Sequence, residues 1–298
     1  MAQRAQMVAG RRRYGPTSAT SPPEGVWGFW ARLRREPPAL AGLALTLLVV
    51  LVALGADLIA PGDPFAIADA VLQPPSARHP FGTDDLGRDL FSGVVHGART
   101  SLLVGLTVSS AATLIGILVG SLAGYAGGRI DDLLMRLSEF VQIIPRFFLA
   151  LVIVAMLGSS LWLIVLLLAL TAWPGTARLV RAQILSLRTR DYVTAARALG
   201  VPPGQILWRH LLPAALPPVI TLAALHVGGA ILVEAGLSFL GLGDRSVMSW
   251  GLLLNDAQQF VRRAWWMSVF PGLALTLTVL GLNLLADGLN EALRLHRS

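Results

Sequence analysis

The sequence predicts an all-α fold, a polytopic membrane helix bundle, and three observations support that prediction. Apolar residues make up 54% of the 298 residues and charged residues only 14%, whereas soluble domains carry about a quarter of charged residues. Several apolar stretches reach about 20 residues, the length at which a helix crosses a hydrocarbon core of ~30 Å. Proline and glycine separate these stretches, as is typical of helix boundaries. We therefore expect one membrane domain.

The composition also excludes several classes of function. The chain has no cysteine, so it can form neither a disulfide nor a thiolate metal site. Its five histidines show no HExxH or other clustered spacing, so no metal site is predicted. All 24 basic residues are arginine, and a P-loop requires lysine, so ATP binding of that kind needs another chain. The net charge of +7 comes from arginines that flank apolar stretches, which argues against nucleic-acid binding.

The first hundred residues are predicted to hold a tail, one helix and a loop. Residues 1–39 are rich in arginine, serine and proline and show no apolar periodicity before residue 26, which indicates a mostly disordered basic tail. Residues 40–60 form the first span, and Pro61 and Gly62 end it. A polar loop follows over residues 61–100.

Residues 101–290 are predicted to form a core of five further helices. The spans of this core are residues 101–125, 133–157, 161–177, 220–240 and 265–285. A connector of three residues makes the third and fourth spans of the chain an antiparallel hairpin. Small residues within the spans let helix backbones approach closely, and they are Gly105, Gly116, Gly120, Gly124, Gly228 and Gly229. Residues 291–298 form the C-terminal end.

The distribution of arginine predicts the orientation of the bundle. With the tail placed inside, seventeen arginines lie on the inner side and six on the outer side, and Arg146 lies within a span. This imbalance agrees with the positive-inside bias of membrane proteins. We therefore expect both termini in the cytoplasm and the loop over residues 61–100 outside it.

The stretch over residues 178–213 is too polar to cross a bilayer and too regular to be disordered. Residues 191–199 predict a short helix that begins at Asp191, where an acidic side chain suits the helix dipole. Gly200 ends this helix, and two prolines begin a second short helix over residues 205–212. From physics alone, the favoured interpretation is an amphipathic hairpin that lies on the membrane surface.

Three charged residues within the predicted spans need an explanation. Glu139 and Arg146 are seven residues apart on the predicted third span, hence on one helical face, and Glu234 lies in the fifth span. A central arginine costs roughly 2.5–3.5 kcal/mol on insertion scales, so it is expected to face protein, water or an opposite charge. We expect Glu139 or Glu234 to pair with Arg146. Three interpretations remain open: a structural polar network, a lining of the solute path, or an arginine that snorkels to a surface.

Several motifs resemble those of the permeases of ABC importers of the dipeptide, oligopeptide and nickel type. Thr194-Ala195-Ala196, Gly200 and Leu212-Pro213 are similar to the EAA signature of these permeases, and Thr194 stands where the family has glutamate. Four further stretches resemble the C-type subunits, and they are residues 81–89 (FGTDDLGRD), 97–102 (GARTSL), 190–193 (RDYV) and 234–243 (EAGLSFLGLG), the last followed by Ser249-Trp250-Gly251.

The resemblance implies a MetI-like fold and a permease subunit in a bacterial or archaeal plasma (inner) membrane. It also implies three kinds of protein partner beside the membrane lipid: a homologous B-type permease, two cytoplasmic ATPases that use ATP and magnesium, and an extracytoplasmic solute-binding protein. Asp191, Thr194, Ala195, Ala196, Gly200, Leu212 and Pro213 would couple the permease to the ATPases. No cofactor is expected on this chain, and the solute is not specified.

Two other functions and one other site are weighed against this hypothesis. An ion-coupled secondary transporter would favour internal repeats, and we see none in the sequence. An intramembrane enzyme requires a nucleophile and a base within the spans, and no such arrangement is found. Asp84, Asp85 and Asp89 do not have the spacing of a calcium loop, so turn formation or a partner contact is the expected role of these aspartates.

Overall fold

The computed structural model describes residues 36–294, with side chains up to residue 292. This part of the chain consists of helices and loops, with two isolated β-bridges, Ile67–Arg88 and Thr83–Asp89. Most of the predicted basic tail, residues 1–35, and the last four residues lie outside the described residues. The predicted all-α fold is confirmed.

Eleven α-helices and one π-helix follow each other along the described residues. They are α1 (Pro37–Leu54), α2 (Ala56–Ile59), α3 (Leu90–Ala126), α4 (Gly128–Ile143), α5 (Arg146–Leu157), α6 (Leu161–Leu187), α7 (Asp191–Ala198), α8 (Pro203–Gln205), the π-helix (Ile206–Leu211), α9 (Leu212–Phe239), α10 (Trp250–Ala257) and α11 (Trp266–Arg294).

Five stretches of helix in the described part of the chain are long and apolar enough to cross a membrane, and α4 with α5 makes a sixth when the bent pair is counted as one span. The predicted third span, residues 133–157, is therefore wrong as a continuous helix. The pair is bent by 69°, at Ile144 and Pro145. Proline has no N–H to donate and disfavours the helical conformation of the residue before it, and Ile144 is accordingly extended.

Three other predicted boundaries also differ from the structure. Helix α3 begins at Leu90, so the loop covers residues 61–89 and not 61–100. The polar side chains near the start of α3 find hydrogen-bond partners. His96 Nε2 lies 3.0 Å from the carbonyl oxygen of Ala60, and Arg99 donates to the C-terminal end of α1. Helix α6 runs ten residues beyond its predicted end at residue 177, and the helix of the fifth span already begins at Pro203.

The central contact of the bundle is the close approach of α3 and α6. Gly116, Gly120 and Gly124 of α3 lie four residues apart and face α6. A Cβ atom on Gly120 would come within 2.3 Å of the carbonyl oxygen of Ala177, and one on Gly116 within 2.5 Å of Thr176 Cβ. The predicted packing role of these glycines is confirmed, since only glycine allows the two backbones to come so close.

One end of the bundle, which we call the loop face, carries residues 61–89 and α10. The motif over residues 81–89 is built into this face. Asp89 caps α3 by accepting from the backbone N–H of Ser92, and His79 Nδ1 lies 2.9 Å from Asp89 Oδ1. Trp266 Nε1 of α11 donates to the carbonyl oxygen of Thr83.

The aspartates of this motif serve local turns rather than a cation site. The Asp84 side chain accepts from the backbone N–H groups of Leu86 and Arg88, and burial raises the pKa of its carboxyl group. The intervening Gly87 has φ +77, and a Cβ there would collide with the carbonyl oxygen of Asp69. The expected turn role is confirmed for Asp84, and Asp89 serves the adjoining helix cap.

The opposite end of the bundle, the α7 face, carries α7 and both ends of the described chain. Helices α1 and α11 pack together through Gly42 and Gly281, at which a Cβ would touch the opposing helix backbone or side chains. Ala39 and Ala292 contact each other at this end and are fully or almost fully buried. The first and last spans therefore return the chain to the same side.

Replacement of Gly120 by valine should destabilise the bundle by about 1–3 kcal/mol or more, because the added Cβ meets backbone that cannot move aside without separating α3 from α6. The thermal unfolding midpoint of the purified chain in detergent measures this. Gly228→Ala is the matched control, since a Cβ there makes an ordinary contact at 3.7 Å from Val279. Equal unfolding midpoints for Gly120→Val and the natural chain would contradict the close approach.

Candidate functional site

The predicted short helix of the 178–213 segment is present as α7, Asp191–Ala198, and its main contact with the bundle is one buried side chain. Val193 is fully buried and packs in a cluster with Val180, Ile184 and Leu211. The other residues of α7 are exposed or half-buried. Ala196 also packs against this cluster, so α7 contacts the bundle along one narrow edge and presents most of its surface away from it.

The exposed surface of α7 contains the residues that resemble the EAA signature. Asp191, Thr194 and Ala195 are exposed, and Ala196 is half-buried. The Thr194 hydroxyl donates only a long bond of 3.4 Å to the carbonyl oxygen of Arg190 in its own helix. Leu199, directly after the helix, is 84% exposed. The residues that resemble the signature therefore lie mostly on the outward side of α7, where another molecule could contact them.

Gly200 ends α7 in the left-handed conformation, with φ +76. The backbone N–H of Val201 donates to the carbonyl oxygen of Ala196, and the N–H of Gly200 donates to that of Arg197. These two bonds form a Schellman motif, which requires a residue that tolerates positive φ. The predicted helix stop at Gly200 is confirmed, and it sets the angle between α7 and the following helix.

The predicted second short helix, residues 205–212, is wrong as a separate element. Pro203 does begin a helix, but that helix continues through α8 and the π-helix into α9 and ends only at Phe239. Leu212 is buried and Pro213 is exposed at the start of α9. Proline cannot donate to the preceding turn, and the wider π-helix lies immediately before it. The part of this segment after Pro203 is therefore continuous with a membrane span.

A cavity of about 620 Å³ lies beside α7, between the end of α6 and the π-helix. Its lining includes the basic residues Arg190, Arg209 and His210 together with Tyr192. No acidic residue belongs to this lining. The α7 face thus combines an exposed apolar helix with an adjoining basic hollow.

The three charged residues within the spans are not paired as predicted. In the part of the chain that the structure describes, neither Arg146 nor Glu139 forms an ion pair, and both side chains are exposed. The break at Pro145 is the physical reason, because it places Glu139 and Arg146 on two helices rather than on one helical face. The expectation of a carboxylate in contact with Arg146 is therefore wrong.

Glu234 has different partners. It is only 1% exposed, and its Oε1 accepts from Ser238 Oγ at 2.7 Å and from Ser249 Oγ at 3.0 Å. Ser249 in turn caps α10 by accepting from the backbone N–H of Leu252. Of the three interpretations of these charges, a structural network therefore describes Glu234, which joins α9 to α10 at the loop face.

Arg146 borders two adjoining chambers between α5, α6 and α9. One has a volume of about 290 Å³ and the other of about 390 Å³, and Arg146, Ala172 and His226 belong to both linings. Arg178 lines the larger chamber, and Gly229 the smaller. Sequence analysis did not identify His226 or Arg178 as neighbours of Arg146. An isolated histidine in an apolar span was the available signal for the first of them.

The predicted family resemblance is borne out by comparison with known proteins. Residues 116–296 match the family model of the binding-protein-dependent transport system inner membrane component. Residues 26–75 match the N-terminal transmembrane domain of oligopeptide transport permease C. Together these matches include all the predicted spans except the first part of the second one.

Curated relatives match over nearly the full chain. A dipeptide transport system permease of Alkalihalophilus pseudofirmus is 41% identical over 88% of this chain and 87% of its own length. A di/tripeptide transport system permease of Pseudomonas aeruginosa is 41% identical over 91% and 92%, and a glutathione transport system permease of Pectobacterium atrosepticum is 37% identical over 89% of each chain.

These matches decide between the functions weighed from the sequence. The relatives are transport permease subunits, so the interpretation as an intramembrane enzyme and that as an ion-coupled secondary transporter are both rejected. The chain belongs to the family of binding-protein-dependent transport system inner membrane components, and it is a multi-pass permease subunit of an ABC importer.

Proposed function

We propose that this permease imports short peptides and that α7 is the element through which ATPase subunits drive it. The relatives named for dipeptide, di/tripeptide and glutathione transport support the solute class. The exposed surface of α7 is the observation that carries the coupling role. That surface includes Leu199, which is 84% exposed although its helix is fixed to the bundle by Val193.

The chemistry of the α7 face fits a protein partner better than a membrane surface. A helix that lies in the lipid interface is amphipathic and carries an extended apolar stripe, whereas the exposed residues of α7 include Asp191, Thr194 and Arg197 around small alanines. Small residues permit a close approach of another backbone. The adjoining basic hollow with Arg190 and Arg209 would receive acidic groups of the partner.

The remaining subunits and the orientation follow from the same proposal. Two ATPases bind at the α7 face, which is then the cytoplasmic face together with both termini, and they supply the ATP and magnesium sites. A homologous B-type permease completes the solute path, and a solute-binding protein delivers the peptide at the loop face. The arginine distribution predicted from the sequence, seventeen inside against six outside, supports this orientation.

Replacement of Gly200 by valine should uncouple transport without unfolding the bundle. The left-handed conformation costs a residue with a side chain roughly 1–2 kcal/mol, which is enough to displace α7 but small against a packed bundle. We expect Gly200→Val to insert into the membrane and to pair with the B-type permease, yet to lose the ATPases on co-purification and to lose ATP-driven peptide uptake.

Two control variants accompany this experiment. Gly204→Ala lies in the same segment, where a Cβ meets open space and no positive φ is required, so it should keep its ATPases. Gly200→Asn should retain much of the coupling, because asparagine tolerates the left-handed conformation. ATPase binding and peptide uptake of the Gly200→Val variant at natural levels would refute the coupling role of α7.

The orientation is tested by fusions to alkaline phosphatase, which is active only outside the cytoplasm. A fusion after Ser298 should be inactive, and an insertion at the exposed Ala77 of the loop face should be active, because the arginine excess holds the α7 face inside. The reverse pattern of activity would overturn the assignment of sides.

A further inference from the structure

The two chambers beside Arg146 form a cationic hollow near the middle of the bundle. Ala172, which borders both chambers, lies eleven residues from the start of α6 and fifteen from its end. At about 1.5 Å per residue, this corresponds to roughly 17 Å and 22 Å from the two ends of the helix. His226 likewise lies near the middle of α9, Leu212–Phe239. The hollow is therefore far from both faces.

Every charged or titratable side chain in the two linings is basic. Arg146, Arg178 and His226 supply these groups, and Gln142 and Thr171 are the other polar residues of the larger chamber. Neither lining contains an acidic residue. The buried Glu234, whose Oε1 accepts from two serines, belongs to neither lining, and Glu139 lies on the other side of the break at Pro145.

Arg146 has no counter-charge in the described part of the chain, although it lies at a bend within a span, whereas two arginines that join helices of the bundle are paired. Arg181 forms a two-bond ion pair with Asp131, and Arg99 forms one with Asp57. A guanidinium within a span is retained where it faces water, an opposite charge or a functional path. Its planar array of donors is suited to bind a carboxylate through two parallel hydrogen bonds.

The space in front of Arg146 also fits a small ligand. Volumes of about 290 and 390 Å³ lie at the lower end of the range of roughly 300–1,000 Å³ for small-molecule sites. Gly229 contributes to this space, because no atom lies within 4 Å of the position that a Cβ would take there. Most of the span glycines that were predicted to pack do contact another helix, whereas Gly229 leaves the hollow open.

We propose that Arg146, with Arg178 and His226, forms a carboxylate-binding subsite on the solute path, which favours peptides with acidic side chains during translocation. This inference rests on the proposed function, because it assumes that the solute is a peptide. The guanidinium of Arg146 holds the solute carboxylate near the middle of the bundle, and Arg178 extends the positive surface toward the α7 face.

The test uses the complete importer, reconstituted with its solute-binding protein and ATPases. ATP-driven uptake of alanyl-glutamate and of alanyl-lysine is measured with the solute-binding protein saturated by each peptide. The affinity of that protein for the two peptides then does not affect the uptake rates. The ratio of the two uptake rates should fall about tenfold in Arg146→Gln, since a charge-assisted bond to the acidic side chain is lost. Arg146→Lys should retain part of the preference, and Arg178→Gln should shift the ratio in the same direction.

The matched control is Arg136→Gln, an exposed arginine of α4 outside both linings, which should leave the ratio unchanged. An equal loss of uptake for both peptides in Arg146→Gln would overturn the preference for acidic side chains, because both peptides carry the same C-terminal carboxylate. Unchanged rates for both peptides would also overturn it. If the natural importer takes up neither peptide with ATP, the proposed peptide function fails, and that outcome is distinct from the other two.

Discussion

The close approach of α3 and α6 at Gly116, Gly120 and Gly124 fixes the position of the elements to which we assign function. In a membrane, apolar side chains gain little from leaving lipid for protein, so helix association depends on close backbone packing and on polar contacts. Val180 and Ile184, which face these glycines, are also the residues against which Val193 of α7 packs. The location of α7 is thus a consequence of how near α6 can come to α3.

Ion pairs between charged side chains hold further helices of the bundle in position. The Asp131–Arg181 ion pair joins α4 to α6, and the Arg99–Asp57 pair joins α2, the short helix after α1, to α3. Both pairs tie the outer helices to the central α3–α6 contact. Arg146 has no such ion pair in the described part of the chain, and an unpaired charge near the middle of a span is costly unless water or a ligand solvates it.

Hydropathy and arginine distribution predict the fold class and the number of spans well, because lipid exposure imposes long apolar stretches on each helix. The boundary at Leu90 could not be predicted, since the polar residues that follow it are satisfied by the end of α1, a tertiary contact. Pro145 does indicate a break, because proline disfavours the helical conformation of the residue before it. A continuous third span ignores this signal, and it therefore also predicts the wrong pairing of Glu139 with Arg146. Glu234 accepts from Ser249 only because α10 folds back against α9. The hydrophobic periodicity of the sequence does not reveal such a tertiary contact.

The helix that follows α7 also carries one residue of the second proposed site. The helix that begins at Pro203, three residues after the stop at Gly200, carries His226 of the hollow and ends at Phe239, a length of 37 residues. Its first part contains the π-helix, and Pro213, Pro217 and Pro218 interrupt its hydrogen-bond ladder near the α7 face. The beginning of this helix can therefore bend more easily than its middle. A displacement of α7 by a bound ATPase would act at that bend and tilt the segment that carries His226 against α5, so the same motion would change the space in front of Arg146.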